Sequence, residues 1–451
     1  MSAPTVARAA LFLALTFGLA APPTVLAAPP AAAGPGRPSD LGAYLVIDLS
    51  SGQVLAEKNA WRPWHPASIT KLMTTYVAFR AVRAGHMRMS SPVEVTATAL
   101  AEPPSKMGLP LGSVVTLETA LKFLIVKSAN DMAVAIAEAV SGSEADFVDE
   151  MNRQAARLGM SRTHFENPNG LPDDAQVTTA RDMVLLARAI DREFPEYRNF
   201  FRIQGLKFGK QVIRSHNRML MRYPGADGFK TGFICASGFN IVAAATRGGR
   251  RLLAVTLGGP SALARDQGTA ELMEAAFIAA STVPTRRETL DRMQPDPDTP
   301  LEPVNLKRQV CGGERRKAVG EDIDDDFVAG VKLDPGTDPS GKQRKDFLMP
   351  PPAKLDLQTV GLGGADPITP WRAARGETPK APPVVAKGGK TPPGAAIAAQ
   401  PATGTPLVLG LQPTLPAEPP TPEQRIESAL ETVGAPLILV LPQDVAGGGK
   451  P

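Results

Sequence analysis

Ser68 and Lys71 are the residues of this sequence whose types and spacing best suit covalent chemistry. They lie in the run His65-Pro66-Ala67-Ser68-Ile69-Thr70-Lys71-Leu72-Met73. Pro66 stops any earlier helix, and Ile69, Leu72, Met73, Tyr76 and Val77 then recur at helical spacing. The pattern predicts a helix that opens near Ser68, where backbone N–H groups point outward and the dipole favours negative charge. Lys71 falls one turn on, on the same face, so its amine reaches the Ser68 hydroxyl. A serine is a weak nucleophile until a base takes its proton, and an amine with a lowered pKa serves as that base. Alone, the pair also reads as an N-cap-like serine beside a solvated lysine, so other residues must decide.

Two later motifs do so. Ser128-Ala129-Asn130-Asp131 falls where an apolar helix, 117–126, runs into a second one, 132–140. Ser128 and Asn130 then project from a break between helices, although helix capping is their plainer role and Asp131 is a candidate N-cap. Asp227-Gly228-Phe229-Lys230-Thr231-Gly232-Phe233 reads as an edge strand. Its glycines flank the Lys230-Thr231 pair and let a substrate backbone approach closely. The three motifs stand in order, separated by 60 and 102 residues, each in a fitting local context.

The elements that must position them follow from pattern. A buried strand, 43–48, turns at Ser51-Gly52 into a return strand. Residues 101–112, with Pro103, Pro104, Gly108, Pro110 and Gly112, form a surface loop, and 165–174 form another. Further helices are predicted over 143–158 and 179–190. Two apolar strands, 239–245 and 252–257, are joined by a turn at Gly248-Gly249-Arg250-Arg251, and a last helix covers about 263–280. The expected fold class is α+β: an antiparallel sheet whose first and last strands come from opposite ends of the domain, flanked by helices, with a helical subdomain inserted between.

The sequence resembles the low-molecular-mass penicillin-binding proteins of the D-alanyl-D-alanine carboxypeptidase family, serine peptidase family S11, over about residues 40–280. The resemblance rests on Pro66 to Met73, Ser128 to Asp131, Phe165-x-Asn167-Pro168-x-Gly170-Leu171, and Tyr223-Pro224-Gly225-x-Asp227-Gly228-x-Lys230-Thr231-Gly232. It implies a β-lactamase/transpeptidase-like domain. It also implies a catalytic set in which Ser68 attacks the carbonyl between two terminal D-alanines of a peptidoglycan stem peptide. Lys71, its pKa lowered, takes the serine proton, and Ser128 relays a proton to the leaving amine. Asn130 binds the substrate amide, Lys230 keeps the site positive, and Thr231 binds the terminal carboxylate. Gly232 lies against the substrate, and the backbone N–H groups of Ser68 and Phe233 form the oxyanion hole. Arg265 is placed either facing that carboxylate or as an exposed helix-start arginine. β-Lactam antibiotics are the implied acylating inhibitors. The family often has a histidine near position 176, where this chain has Gln176. His216 reads as a loop residue. A DD-endopeptidase acting on cross-links is the near alternative. A β-lactamase would need a glutamate in a Glu-x-x-Leu-Asn loop, and Glu166 is followed by Asn-Pro-Asn-Gly. A catalytically silent wall-binding protein is disfavoured by the complete motif set.

The rest of the chain bounds this reading. Residues 1–28 read as a signal peptide, with Arg8 before an apolar run of 13 residues, Ala9 to Ala21, too short to span a bilayer. Residues 29–40 read as a linker, 41–281 as the catalytic domain, and 282–451 as a Pro/Gly-rich, mostly disordered tail. Of the 45 prolines, 27 follow residue 280, where Phe327, Phe347 and Trp371 are the only large aromatics, too few to offset ordering entropy. Within the tail, 423–433 offers one short amphipathic stretch for membrane association, and a flexible wall-threading role is the default. The formal charge of +4 includes no dense Lys/Arg block, so no nucleic-acid partner is expected. No metal site or cofactor is expected, since there is no Gly-rich phosphate loop and no metal-ligand spacing. Cys235 and Cys311 are expected as separate thiols, with a disulfide as the alternative in an oxidising compartment. The destination implied is the periplasm or cell wall.

Overall fold

The computed structural model describes residues 38–282, 288–312 and 346–367. By packing, the chain divides into Met1–Ala381 and Pro382–Pro451, and every described residue lies in the first unit. The sequence-based assignments for residues 1–28 and 423–433 therefore fall outside the described residues.

The chain opens with the hairpin β1 (Ala43–Asp48) and β2 (Val54–Lys58). Asp48 closes the turn by accepting from the backbone N–H groups of Ser50 and Ser51. A 3₁₀ turn, Ala67–Thr70, then leads into α1 (Lys71–Arg83). The helical subdomain follows: β3 (Pro92–Glu94), α2 (Ala97–Ala101), β4 (Val114–Thr116), α3 (Leu117–Val126), α4 (Asn130–Ser141), α5 (Glu144–Arg157) and α6 (Ala180–Glu193). Side-chain caps start several of these helices. Thr116, Ser143 and Thr179 accept from the backbone N–H three residues on, and α4 stops at Gly142, whose φ of 89° suits glycine. Next come β5 (Gly205–Phe208), β6 (Gln211–Arg214) and α7 (Met219–Arg222). The chain returns to the sheet through β7 (Ala226–Ile234), β8 (Gly238–Arg247) and β9 (Arg250–Gly259), then α8 (Ala262–Thr282), α9 (Lys307–Cys311) and β10 (Leu357–Val360).

The main sheet has the order β2-β1-β9-β8-β7 and is antiparallel throughout, with β1 paired to β9. The expected closure by strands from opposite ends of the domain is thus observed. Both faces are buried, so its central strands are mostly apolar on both faces rather than alternating, with Asn240 and Thr256 as buried polar exceptions. Leu45, Ile47, Val242, Ala244, Leu253 and Val255 face the helical core, while Val46, Ile241, Ala243, Leu252 and Ala254 face the opposite core with Met273 of α8. The edge strand β7 carries the Lys230-Thr231-Gly232 run, as expected.

Four features differ from the sequence reading. The packed unit extends past the expected limit at residue 281: Val54 donates to Glu288 O, Leu290 donates to Gly52 O, and the Leu290 side chain is buried. Farther on, β10 pairs in parallel with β5, and β6 completes this small sheet. The pairing of β10 spans some 150 residues of sequence and leaves no local signal. Cys235 and Cys311 form a disulfide, not separate thiols. Asp131 does not cap α4, whose N-cap is Ala129. Its buried carboxylate instead accepts from the N–H groups of Met107, Gly108 and Met132, tying the 101–112 loop to the helix.

Candidate active site

Ser68 lies in the 3₁₀ turn just before α1. In 3₁₀ geometry residues i and i+3 eclipse, which stacks Lys71 on Ser68. Lys71 Nζ is 3.1 Å from Ser68 Oγ. The lysine is 1% exposed, and its amine also donates to Asn130 Oδ1 at 2.8 Å and to the Asn169 carbonyl at 2.5 Å. Burial of such an amine is tolerated because its donors meet acceptors. The solvated-lysine reading is thereby excluded.

Asn130 is oriented from three sides. Its Nδ2 donates to Pro103 O at 3.0 Å, its backbone N–H to Ser105 O at 2.7 Å, and its Oδ1 accepts from Lys71. The proline-rich loop is therefore a wall of the site held by Asp131, not only a surface connection. Ser128 has a φ of 61°, uncommon for a non-glycine residue, and is buried. Lys230 Nζ donates to Ser128 Oγ at 2.8 Å and to Thr231 O at 2.9 Å. The serine and lysine on each side of the cleft thus form two pairs, Ser68–Lys71 and Ser128–Lys230, from four different elements.

The strand closes directly on the nucleophile turn. A Cβ built on Gly232 would lie 2.8 Å from Ile69 N, 2.9 Å from Ser68 N and 3.0 Å from Pro66 O. Only glycine permits that approach. Asn240, paired with Gly232 across β7 and β8, donates to the carbonyls of His65 and Pro66. These contacts set the Ser68 and Phe233 N–H groups on facing segments. The Thr231 hydroxyl is buried and has no hydrogen-bond partner among the described residues, so it is available to a ligand. Arg265 is 3% exposed, which removes the exposed-arginine alternative. It donates to Asp266 Oδ1 and to Asn240 O, and Arg218 binds the other Asp266 oxygen. His216 sits in the loop before α7, its N–H on Val126 O.

Some participants carried little sequence signal. Asn169 supplies a backbone carbonyl to Lys71, a role independent of its side-chain type. The loop holding it is fixed by Gln176, whose amide accepts from Glu166 N and Asn167 N and donates to Asn167 Oδ1 and Leu171 O. The departure at 176 thus leaves the loop fully braced. Gly170, with φ of 87°, passes where a Cβ would be 2.0 Å from Ala67 O. Glu102 accepts from Asn169 Nδ2 at 2.9 Å. Burial, and then the Glu144 carboxylate, push the Glu102 carboxyl above its ordinary range against that hydrogen bond. Glu166 is paired with His164 at the surface. Among the described residues no group of three or more His, Cys, Asp or Glu side chains could hold a metal ion.

The sheet order, the inserted helical subdomain and the serine turn beneath an edge strand define the α+β fold of the β-lactamase/transpeptidase type. A family model described as D-alanyl-D-alanine carboxypeptidase matches residues 33–261, and the chain belongs to that family. It is 36% identical over 251 residues to D-alanyl-D-alanine carboxypeptidase DacC of Escherichia coli K12, covering 54% of this chain and 63% of that protein. The chain thus spans a little under two thirds of that relative. Among solved structures it is similar to D-alanyl-D-alanine carboxypeptidase DacD from Francisella tularensis (30% identity, TM-score 0.52, 53% of this chain and 70% of that one). It is also similar to penicillin-binding protein 5 from Haemophilus influenzae (32% identity, TM-score 0.51, 53% and 71%).

Proposed function

We propose that the chain is a serine-type D-Ala-D-Ala carboxypeptidase that removes the terminal D-alanine from peptidoglycan stem pentapeptides. The observation that carries this reading is the paired geometry: the buried Lys71 amine 3.1 Å from Ser68 Oγ, and the Lys230 amine 2.8 Å from Ser128 Oγ.

In acylation, neutral Lys71 takes the Ser68 proton as Oγ adds to the penultimate D-alanine carbonyl. Two cations crowding one buried site favour the loss of one charge, which suits a neutral amine beside charged Lys230. The oxyanion forms between the N–H groups of Ser68 and Phe233. One such donor is worth roughly 3–4 kcal/mol in comparable sites. As the C–N bond breaks, Ser128 relays to the leaving amine the proton that Lys71 took, which leaves Lys71 neutral again, and free D-alanine departs. Asn130 holds the substrate amide. Thr231, with Lys230 near it and Arg265 behind the strand, binds the terminal carboxylate. Water then attacks the ester, neutral Lys71 takes its proton, and that proton passes to Ser68 Oγ as the ester C–O bond breaks, restoring the serine. β-Lactams acylate Ser68 by the same first step. Secretion to the periplasm or cell wall rests on the pattern of residues 1–28, and the 282–451 region is read as a wall-threading tail beyond its packed segments.

The test uses the mature chain with two substrates, a monomeric stem pentapeptide and a cross-linked dimer. Release of D-alanine with intact dimers supports the carboxypeptidase. Splitting of dimers without D-alanine release would replace it with the endopeptidase.

A further inference from the structure

The disulfide lies outside the catalytic residues, yet it ties down a segment that is bonded to the chain flanking each half of the oxyanion hole. Cys235 follows β7 directly, two residues after Phe233. Its partner Cys311 ends α9, 76 residues later. Between residues 303 and 311 the chain makes two further attachments. Leu306 N donates to Ala236 O at 2.8 Å, and Val304 N donates to Pro63 O at 3.2 Å. The first fastens the turn after the Phe233 strand. The second fastens the run that leads into the Ser68 turn, five residues ahead of Ser68.

The two sides differ in how firmly they are otherwise held. On the nucleophile side Trp64 is wedged against Gly42 and Gly258, where any Cβ would come within 2.2–2.3 Å of the ring. Trp64 Nε1 also donates to Ser237 O, and Asn240 fixes the carbonyls of His65 and Pro66. On the oxyanion side β7 is the edge strand, with β8 alone beside it in the sheet. An edge strand is held laterally from one side only, and at this end the chain is fixed by the turn to β8, where Ser237 N–H donates to Ile234 O and Ile234 N–H donates to Ser237 Oγ. Phe233 is also near that end, stacked on Phe239 at 4.2 Å between centroids. The covalent bond falls in the turn to β8, one residue past the end of this edge strand.

We propose that the Cys235–Cys311 disulfide is a positioning element for acyl transfer: it anchors residues 303–311 as a strap that fixes the end of β7, and thereby the Phe233 N–H, against the Ser68 turn. The proposal rests on the acyl-serine reading above. Catalytic geometry is sensitive at this scale, since a displacement of about 1 Å costs on the order of a hundredfold in rate. A merely structural disulfide would act on stability, by limiting the unfolded chain over a closed loop of this length.

The experiment measures acylation by a fluorescent penicillin in stopped flow, over a range of concentrations. This separates the first-order acylation constant from the dissociation constant of the complex that precedes it. Three forms of the full mature chain are compared: oxidised, reduced by a dithiol and alkylated, and the Cys235→Ser/Cys311→Ser double variant. Near-UV circular dichroism reports folding for each. The expected result is a fall of roughly tenfold or more in the acylation constant of both disulfide-free forms, from a shift of a few tenths of an ångström. Their dissociation constant and near-UV signal stay unchanged, and reoxidising reduced, unalkylated protein restores the rate. The proposal is overturned if the acylation constant stays within twofold of the oxidised value. It is equally overturned if rate, affinity and near-UV signal are lost together, which assigns the bond to stability. If the oxidised chain takes up no penicillin, the acyl-serine reading itself falls, a result distinct from both.

Discussion

Gly232→Ala tests whether the closeness of β7 to the serine turn is needed for catalysis. Gly232 does not adopt a positive φ, so alanine suits its backbone conformation and the effect is one of space alone. The added methyl would meet Ile69 N at 2.8 Å, Ser68 N at 2.9 Å and Pro66 O at 3.0 Å. All three are backbone atoms, and no flexible side chain can swing away. To bring these contacts to an ordinary 3.4 Å, the strand must recede by roughly 0.6 Å, carrying the Phe233 N–H with it. Misaligning one of two oxyanion donors costs on the order of 10²-fold in rate, or about 2.7 kcal/mol of barrier. The steric insertion itself costs about 1–3 kcal/mol of stability, which a domain of this size survives. Stopped-flow acylation with a fluorescent penicillin should therefore show the first-order constant lowered about a hundredfold, with folding retained by circular dichroism. A folded Gly232→Ala variant that acylates within threefold of the parent would refute the oxyanion role given to this contact.

Asp131→Ala removes the acceptor for the N–H groups of Met107, Gly108 and Met132. Leaving these donors unpaired should cost about 3 kcal/mol, read as a melting temperature lower by roughly 10 °C; an unchanged melting temperature would show that the clamp is dispensable. Glu102 gives a pH signature. Its carboxyl is raised by burial and by Glu144, so the folded chain keeps that proton to higher pH than the unfolded chain does. This contribution to stability is fully present below the ordinary carboxylate range and is lost as pH rises through the raised folded value. Glu102→Gln should accordingly melt higher than the parent at pH 7, with the gap closing as the pH falls toward 4. A gap that widens on acidification would reverse the sign argued here. Lys71→Ala should lose acylation nearly as completely as loss of the nucleophile, since base and serine act as a unit; penicillin labelling at a rate near the parent's would show that another group is the base.

The parts of the fold that were legible in the sequence are those with local causes. The helix after Pro66, the break at Ser128, the turn at Gly248-Gly249 and the edge strand around Lys230 each follow from periodicity or turn chemistry within a few residues. What could not be read depends on partners far along the chain. The strand 357–360 has meaning only beside 205–208, and Cys235 could not be assigned to Cys311 from composition. The same division holds in the site. Side chains whose type carries the chemistry, such as Ser68, Lys71, Ser128 and Lys230, stand out as motif residues. Asn169 contributes a carbonyl that every residue type has, and Asp131 acts on backbone N–H groups of a loop 24 residues away. Arg265 shows the limit from the other side: its position in the first turn of α8 was expected, but its burial against Asp266 and Asn240 depends on packing alone.

The central claim is that the Ser68 hydroxyl, activated by Lys71, becomes the acylated atom. Intact mass spectrometry of the mature protein after benzylpenicillin, followed by peptide mapping, tests it directly. The account predicts one penicilloyl adduct per chain, on the peptide containing Ser68, absent in Ser68→Ala. An adduct mapped to any other residue, or one that persists in Ser68→Ala, would contradict it.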